Sequence, residues 1–308
     1  MTLPQDFHDL ARKVSNWGRW GDGDQRGTLN LIDSDARRRG AACVRTGKTF
    51  VLALPLNEDG PQTGVIPGRD NPAHRMVAVN QAYTGDPDDF ATSDDAVSMG
   101  LQAATHWDAL AHVSYGGRLY NGFPASTIPE AGAAHCGIDK AGPIVSRGVL
   151  LDVARARGVD RLDGGSAVGA ADLDAACDLA KVTIEHGDVV LLRTGQIRVL
   201  HAGDKDAYGH PSPGPGIDAV GWFRDHDIAA VATDNLTFEV FPCERPDVFL
   251  PVHLLDLRDM GLTQGQNFDL EALAADCADD SVYSFLLEAS PQPFTAATGS
   301  PVTPVAMK

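Results

Sequence analysis

Between Gln102 and His112 the chain reads Gln-Ala-Ala-Thr-His-Trp-Asp-Ala-Leu-Ala-His, which places two imidazoles and a carboxylate within seven residues. Imidazole nitrogen and carboxylate oxygen are donors that borderline divalent metals accept. Their spacing restricts the backbone. On a helix the side chains of His106 and Asp108 stand ~200° apart around the axis and cannot share an ion, whereas on a strand residues i and i+2 project from one face. Extended backbone is therefore predicted, with the two Cα atoms roughly 6.6 Å apart. His112 has the same parity, yet on a straight strand it would lie roughly 20 Å from His106. It joins the pair only if the chain bends across Ala109 to Ala111.

The 308 residues, 43% of them hydrophobic, are enough for a sizeable core. A formal charge of -17 argues against nucleic acid or anionic lipid as a partner, since both are held through clustered Lys and Arg. One metal or one local Arg is enough to reverse that field inside a cleft. The five cysteines, Cys43, Cys136, Cys177, Cys243 and Cys277, are scattered without a Cys-x-x-Cys pair, so neither a disulfide framework nor a zinc knuckle is indicated. The first residues carry no basic segment followed by an apolar one, and no run of eighteen apolar residues occurs. The expectation is a cytoplasmic protein.

Along the chain, Asp6 to Trp17 suits a short amphipathic helix, and Asp33 to Val44 a second one capped by Asp33 or Ser34. Between them, Trp17 to Ile32 reads as an ordered turn, because its glycines fit neither phosphate-binding fingerprint. Thr49 to Leu56 is an apolar strand, and the glycines and prolines from Asn57 to Asn80 mark a long loop of the functional kind, in which His74 is the candidate to reach a substrate. Tyr115 to Phe123 has hairpin turn chemistry. Buried strands follow at 148–153, 187–195 and 227–233, with helices at 169–180 and 217–226 between them, and a last strand at 281–287. Arg193 is expected to close a structural ion pair. Asp234 and Glu239 stand at a strand end, as ligands or bases on one reading and as a helix cap and an exposed carboxylate on the other. Strands alternating with helices and no linker-like break predict one α/β domain over residues 1–308.

The central stretch resembles the signature of the metal-dependent cyclase family, which includes bacterial kynurenine formamidases and isatin hydrolases, with the pattern His-x-Gly-Thr-His-x-Asp-x-Pro-x-His. Thr105, His106, Asp108 and His112 match it, while Gln102 stands at the first His, Ala104 at the Gly and Leu110 at the Pro. Two further segments are similar to the longer members: the Trp17-Gly18 turn running into Gly27-Thr28-Leu29-Asn30, and Tyr120-Asn121-Gly122. The resemblance implies a swivelling β/β/α fold, a mixed sheet with flanking helices, and a homo-oligomer, usually a dimer. By its residues alone His253 is a lone histidine of the kind that is usually satisfied in a core; the resemblance makes it the His at a helix start that completes the metal site. It also puts Gln266 in the place of a Glu ligand. The implied metal set is thus His106, Asp108, Gln102, His253 and Gln266, and the loss of strong donors at 102 and 266 implies fewer or weaker ions.

A divalent ion, Mn or Zn, held by His106 and Asp108 would acidify water and polarise a carbonyl, with His112 as the proton shuttle. His74, Trp107 and Tyr120 are the candidate substrate contacts. No Gly-x-Ser-x-Gly elbow is present. The expected activity is a metal-dependent hydrolase of the C–N or C–O bond of a cyclic or aryl amide, lactam or lactone, acting on a small molecule. The alternatives are a biosynthetic cyclase, dehydratase or lyase using the same groups for proton transfer, and a non-catalytic binding protein with a degenerate metal site.

Overall fold

The computed structural model describes residues 3–308. Its strands in chain order are β1 (Thr49–Val51), β2 (Ala73–Ala82), β3 (Ala91–Ser98), β4 (His106–Asp108), β5 (Val145–Asp152), β6 (Ala167–Val168), β7 (Val189–Arg193), β8 (Gly214–Pro215), β9 (Ala230–Thr233), β10 (Thr263–Gln266), β11 (Ser284–Glu288), β12 (Gly299–Pro301) and β13 (Val305–Met307). Nine of them form one mixed sheet in the order β1-β13-β11-β5-β7-β9-β10-β4-β12. Its centre is parallel, β5 to β7 to β9 to β10, and antiparallel strands extend it on both sides.

The apolar runs read as buried strands become this parallel centre because helices cover both of its faces. Successive residues divide between two cores. Leu150, Val189, Leu191, Ala230 and Ala232 pack on one face, and Val149, Leu151, Val190, Leu192 and Val231 pack on the other. Helices Ala170–Ala180 and Ile217–Asp225 contribute Leu173, Ala176, Val220 and Phe223 to the second core. The helix Ser34–Ala42 starts where expected, with the Asp33 carboxylate accepting the backbone N–H groups of Asp35 and Ala36. The expected helix at 6–17 is Gln5–Val14, burying Phe7, Ala11 and Val14.

Three stretches differ from the sequence reading. The long loop at 57–80 ends in β2, which with β3 forms an exposed two-stranded ribbon; turn residues inside the segment hide a strand whose cross-strand partner follows the next turn. Residues 290–308, polar and proline-rich, contain β12 and β13, and short β10 was not expected at all. All three are too short to show a period by themselves and are held by ladder bonds to distant strands. The strand from Thr49 extends only to Val51 in the sheet. No helix among the described residues is long and apolar enough to cross a membrane.

Candidate active site

His106 and Asp108 occupy the two ends of β4, completely buried, and extended backbone aims both side chains to one side, as the spacing requires. His106 Nε2 lies 3.5 Å from Asp108 Oδ1. The chain then bends: Ala109 N–H donates to Thr298 O, Ala111 N–H to Cys136 O, and His112 N–H back to Ala109 O. The bend returns His112 to the pair, with Nε2 3.8 Å from Asp108 Oδ1.

The adjoining strand supplies two amides. Gln266 is the register partner of His106 on antiparallel β10, and opposite residues in such a pair share a face. Gln266 Nε2 donates to Asp108 Oδ2 at 2.7 Å and Gln264 Nε2 to the same oxygen at 3.4 Å. Gln264 was missed in the sequence although the signal was present: it stands two residues before Gln266, and period two puts both on the face of His106 and Asp108. Gln102 makes no polar contact to this group. Its amide instead lies against Gly299, the register partner of Asp108, and is 3.4 Å from Thr298 Oγ1.

His253 closes the helix Pro251–His253, which runs on into Leu254–Met260. Its Nδ1 is 2.6 Å from Glu239 Oε1, and Glu239 also accepts the backbone N–H groups of His253 and Val252. Glu239 is therefore buried and saturated at a helix start, and the reading of it as exposed is overturned. Because a carboxylate accepts, the proton of neutral His253 sits on Nδ1 and Nε2 is bare. The ring centroid is 6.5 Å from that of His112. Asp234 caps no helix. It is buried and takes hydrogen bonds from Thr194 N–H, Thr194 Oγ1 and Gly195 N–H, and burial pushes its carboxyl up to about 6. Arg193 is ion-paired with Asp152 and Glu271, as expected.

The three candidate substrate contacts are placed elsewhere. Trp107 is fully buried, since residue i+1 of a strand faces away from its neighbours; its indole donates to Ala289 O and meets Phe268 edge to face. Tyr120 is also fully buried, and its hydroxyl donates to Asp24 Oδ2. With Asn121, whose amide donates to the carbonyls of Gly21, Asp22 and Asp24, it secures the N-terminal turn. His74 sits on the exposed ribbon, paired with Asp95 at 2.9 Å.

Electrostatics and unsatisfied atoms coincide between His106 and Asp108. His106 Nδ1 is 2.7 Å from Ala104 O; a carbonyl can only accept, so in the neutral ring Nδ1 carries the proton and Nε2 presents a lone pair. That Nε2 and Asp108 Oδ1 are both buried without a hydrogen-bond partner. Burial works to raise the Asp108 carboxyl, but the imidazoles of His112, His106 and His253, cationic at the acid pH where a carboxyl titrates, more than offset it and hold the group below the ordinary carboxylate range. Burial pushes His112 below its usual value, with Asp108 opposing. Two orphaned acceptors facing each other inside a protein are costly unless something cationic joins their lone pairs, so the pair fits a divalent ion. Among the described residues no three His, Cys, Asp or Glu side chains gather closely enough to hold one unaided. Further donors would have to be amides, another imidazole after a small movement, or water.

The family model described as Cyclase matches residues 29–240. A crystal structure described as a novel cyclase is 38% identical and superimposes with a TM-score of 0.87, over 96% of this chain and 100% of its own. Isatin hydrolase A from Labrenzia aggregata, bound to benzyl benzoate, is 19% identical with a TM-score of 0.61, over 86% of this chain and 94% of its own. An isatin hydrolase bound to the product analogue thioisatinate is 17% identical with a TM-score of 0.59, over 89% and 98%. A comparison with curated proteins finds no match. At these identities the isatin hydrolases share the fold with this chain.

Proposed function

The chain belongs to the cyclase family, and from that premise we propose that it is a metal-dependent hydrolase of a C–N or C–O bond in a cyclic or aryl amide, lactam or lactone. One observation carries the reading: the bare His106 Nε2 and the unpartnered Asp108 Oδ1, 3.5 Å apart and buried. His106 and Asp108 would hold the ion, Mn or Zn, with Gln102, Gln266 or His253 supplementing. A divalent ion in this position supplies Lewis acidity, acidifying a water and polarising a carbonyl. The isatin hydrolases of the same fold and a structure described as a potential metal-dependent hydrolase with cyclase activity support the assignment of reaction type.

The chain's own groups account for the proton. His112, whose charged form burial disfavours, takes one proton from the water that adds to the carbonyl and returns it to the departing nitrogen or oxygen, leaving an amine or alcohol and a carboxylic acid that releases the water's second proton to solvent. Asp108 Oδ1, 3.8 Å away, stabilises the imidazolium between those two events. Gln264 and Gln266 hold Asp108 Oδ2 and so aim Oδ1. Glu239 fixes the orientation and tautomer of His253, as carboxylate partners commonly do for functional histidines. A small-molecule substrate and a homo-oligomer belong to the same proposal, the latter supported by the apolar side chains Val77, Val79, Tyr83 and Phe90 exposed on the ribbon.

The test is elemental analysis of the purified protein joined to a screen of lactams, lactones and N-formyl aryl amines. His106→Ala is expected to lose both bound ion and turnover; turnover unchanged in that variant would remove the metal mechanism. Run in isotopically labelled water, the screen also separates hydrolysis, in which the label enters the product, from cyclisation, in which it does not.

A further inference from the structure

The loop from Asn57 to Pro72 is stapled from within. The Asn71 amide donates to the carbonyls of Glu58, Gly60 and Gln62, and its oxygen accepts Gln62 N–H. The loop is also tied to the segment that leads into β4. Gln62 Nε2 donates to Ala103 O, three residues before His106, and Gly100 N–H donates to Asp70 O.

Between these two ties stands Arg69, half-buried. Its stem lies against Gly100 so closely that a β-carbon there would come within 3.0 Å of Arg69 Cα and 3.3 Å of Cγ. Backbone and stem are thus positioned, yet among the described residues the guanidinium makes no hydrogen bond and no ion pair. It is near enough to the site for its charge to act on both Asp108 and His112. Partial burial costs it some of its water without giving it a protein partner, and Asp108 is not that partner: Oδ2 is taken by the two glutamines and no guanidinium nitrogen reaches within ion-pair distance of Oδ1.

An arginine held on a stapled loop beside a catalytic group, partly dehydrated and unpaired, is a planar donor fork without its acceptor, and the acceptor such a fork matches best is a carboxylate. We propose that Arg69 is a specificity-determining residue that binds a carboxylate group of the substrate or product. The inference rests on the hydrolase reading for its location and goes beyond it in naming an anionic ligand. It also accounts for how a chain of formal charge -17 can accept an anion: the local cation reverses the field where it matters.

Benzoate and benzamide, one shape with and without the charge, serve as probes in calorimetric titrations of the purified protein with its bound ion, of Arg69→Gln and of Arg69→Lys. A charge-assisted bond predicts that the parent binds benzoate about tenfold more tightly than benzamide. Arg69→Gln should bring the two within about twofold, and Arg69→Lys, which keeps the charge but not the fork, should fall between. No preference in the parent overturns the inference, as does a preference that survives Arg69→Gln, which would assign the anion to the ion or to His112. The hydrolase reading is judged on turnover and this one on the binding difference, so the failure of either is told apart from the failure of the other.

Discussion

Replacing Gln266 by Glu tests the architecture of the site most directly. In the protein the Gln266 amide donates to Asp108 Oδ2 at 2.7 Å, and both side chains are buried. Glutamate is close in shape but removes a charge-assisted hydrogen bond, worth about 1.5–3 kcal/mol, and sets a second carboxylate against the first. Two unit charges ~4 Å apart repel by about 4 kcal/mol at an effective dielectric constant of ~20. The pair can escape by keeping one proton, and holding it at pH 7 on a carboxyl of ordinary pKa ~4.3 also costs about 4 kcal/mol. The two routes agree, so ion-free Gln266→Glu should be about 4 kcal/mol less stable than the ion-free parent at pH 7, roughly 6 °C in melting temperature for a chain of this size. Because the folded pair binds more protons than the unfolded chain between about pH 4 and 7, stability falls as pH rises through that window, and the deficit shrinks toward pH 5.

A cation reverses the balance. If about 1.4 kcal/mol of the repulsion is converted into attraction, affinity for Mn or Zn rises about tenfold. Melting followed by circular dichroism in chelator at several pH values, then with added ion, reads the stability terms, and calorimetric titration of the ion reads the affinity. A variant that melts like its parent at every pH in chelator, and binds ions no more tightly, would refute the placement of residue 266 against Asp108.

Two further predictions follow from the same geometry. His112→Asn should keep the bound ion and lose turnover; because burial lowers the His112 pKa, the acid limb of the parent's pH–rate profile should lie below the ordinary histidine value and vanish in the variant's residual rate. Loss of the ion along with turnover in His112→Asn would make His112 a ligand instead. Trp107→Phe removes a fully buried indole and its bond to Ala289 O, so it should cost about 2–4 kcal/mol in denaturant titrations with ion affinity intact; a selective loss of substrate affinity at unchanged stability would return Trp107 to the list of substrate contacts.

The spacing of His106 and Asp108 determined extended backbone, and with it a shared face, because a strand repeats every two residues and nothing else brings i and i+2 together. The same periodicity turns Trp107, named from the sequence as a substrate contact, to the opposite face, where the structure buries it. The apolar runs around Leu150, Leu191 and Val231 announced a sheet buried on both faces, and Asp33 announced a helix start. Local chemistry suffices for such features. What the tertiary structure alone decided was convergence. The bend that returns His112 depends on Thr298 and Cys136 as hydrogen-bond acceptors far along the chain. β10 and β12, which flank β4, are too short to declare themselves and exist because ladder partners are present. Glu239 became the orienting partner of His253 rather than a surface acid because a helix start was folded onto it. Arg69 carries no motif, and its place beside Asp108 comes from a loop stapled by Asn71 and docked on Gly100. Spacing along a chain is read by local backbone geometry, whereas which distant atoms meet is settled by packing the whole sheet.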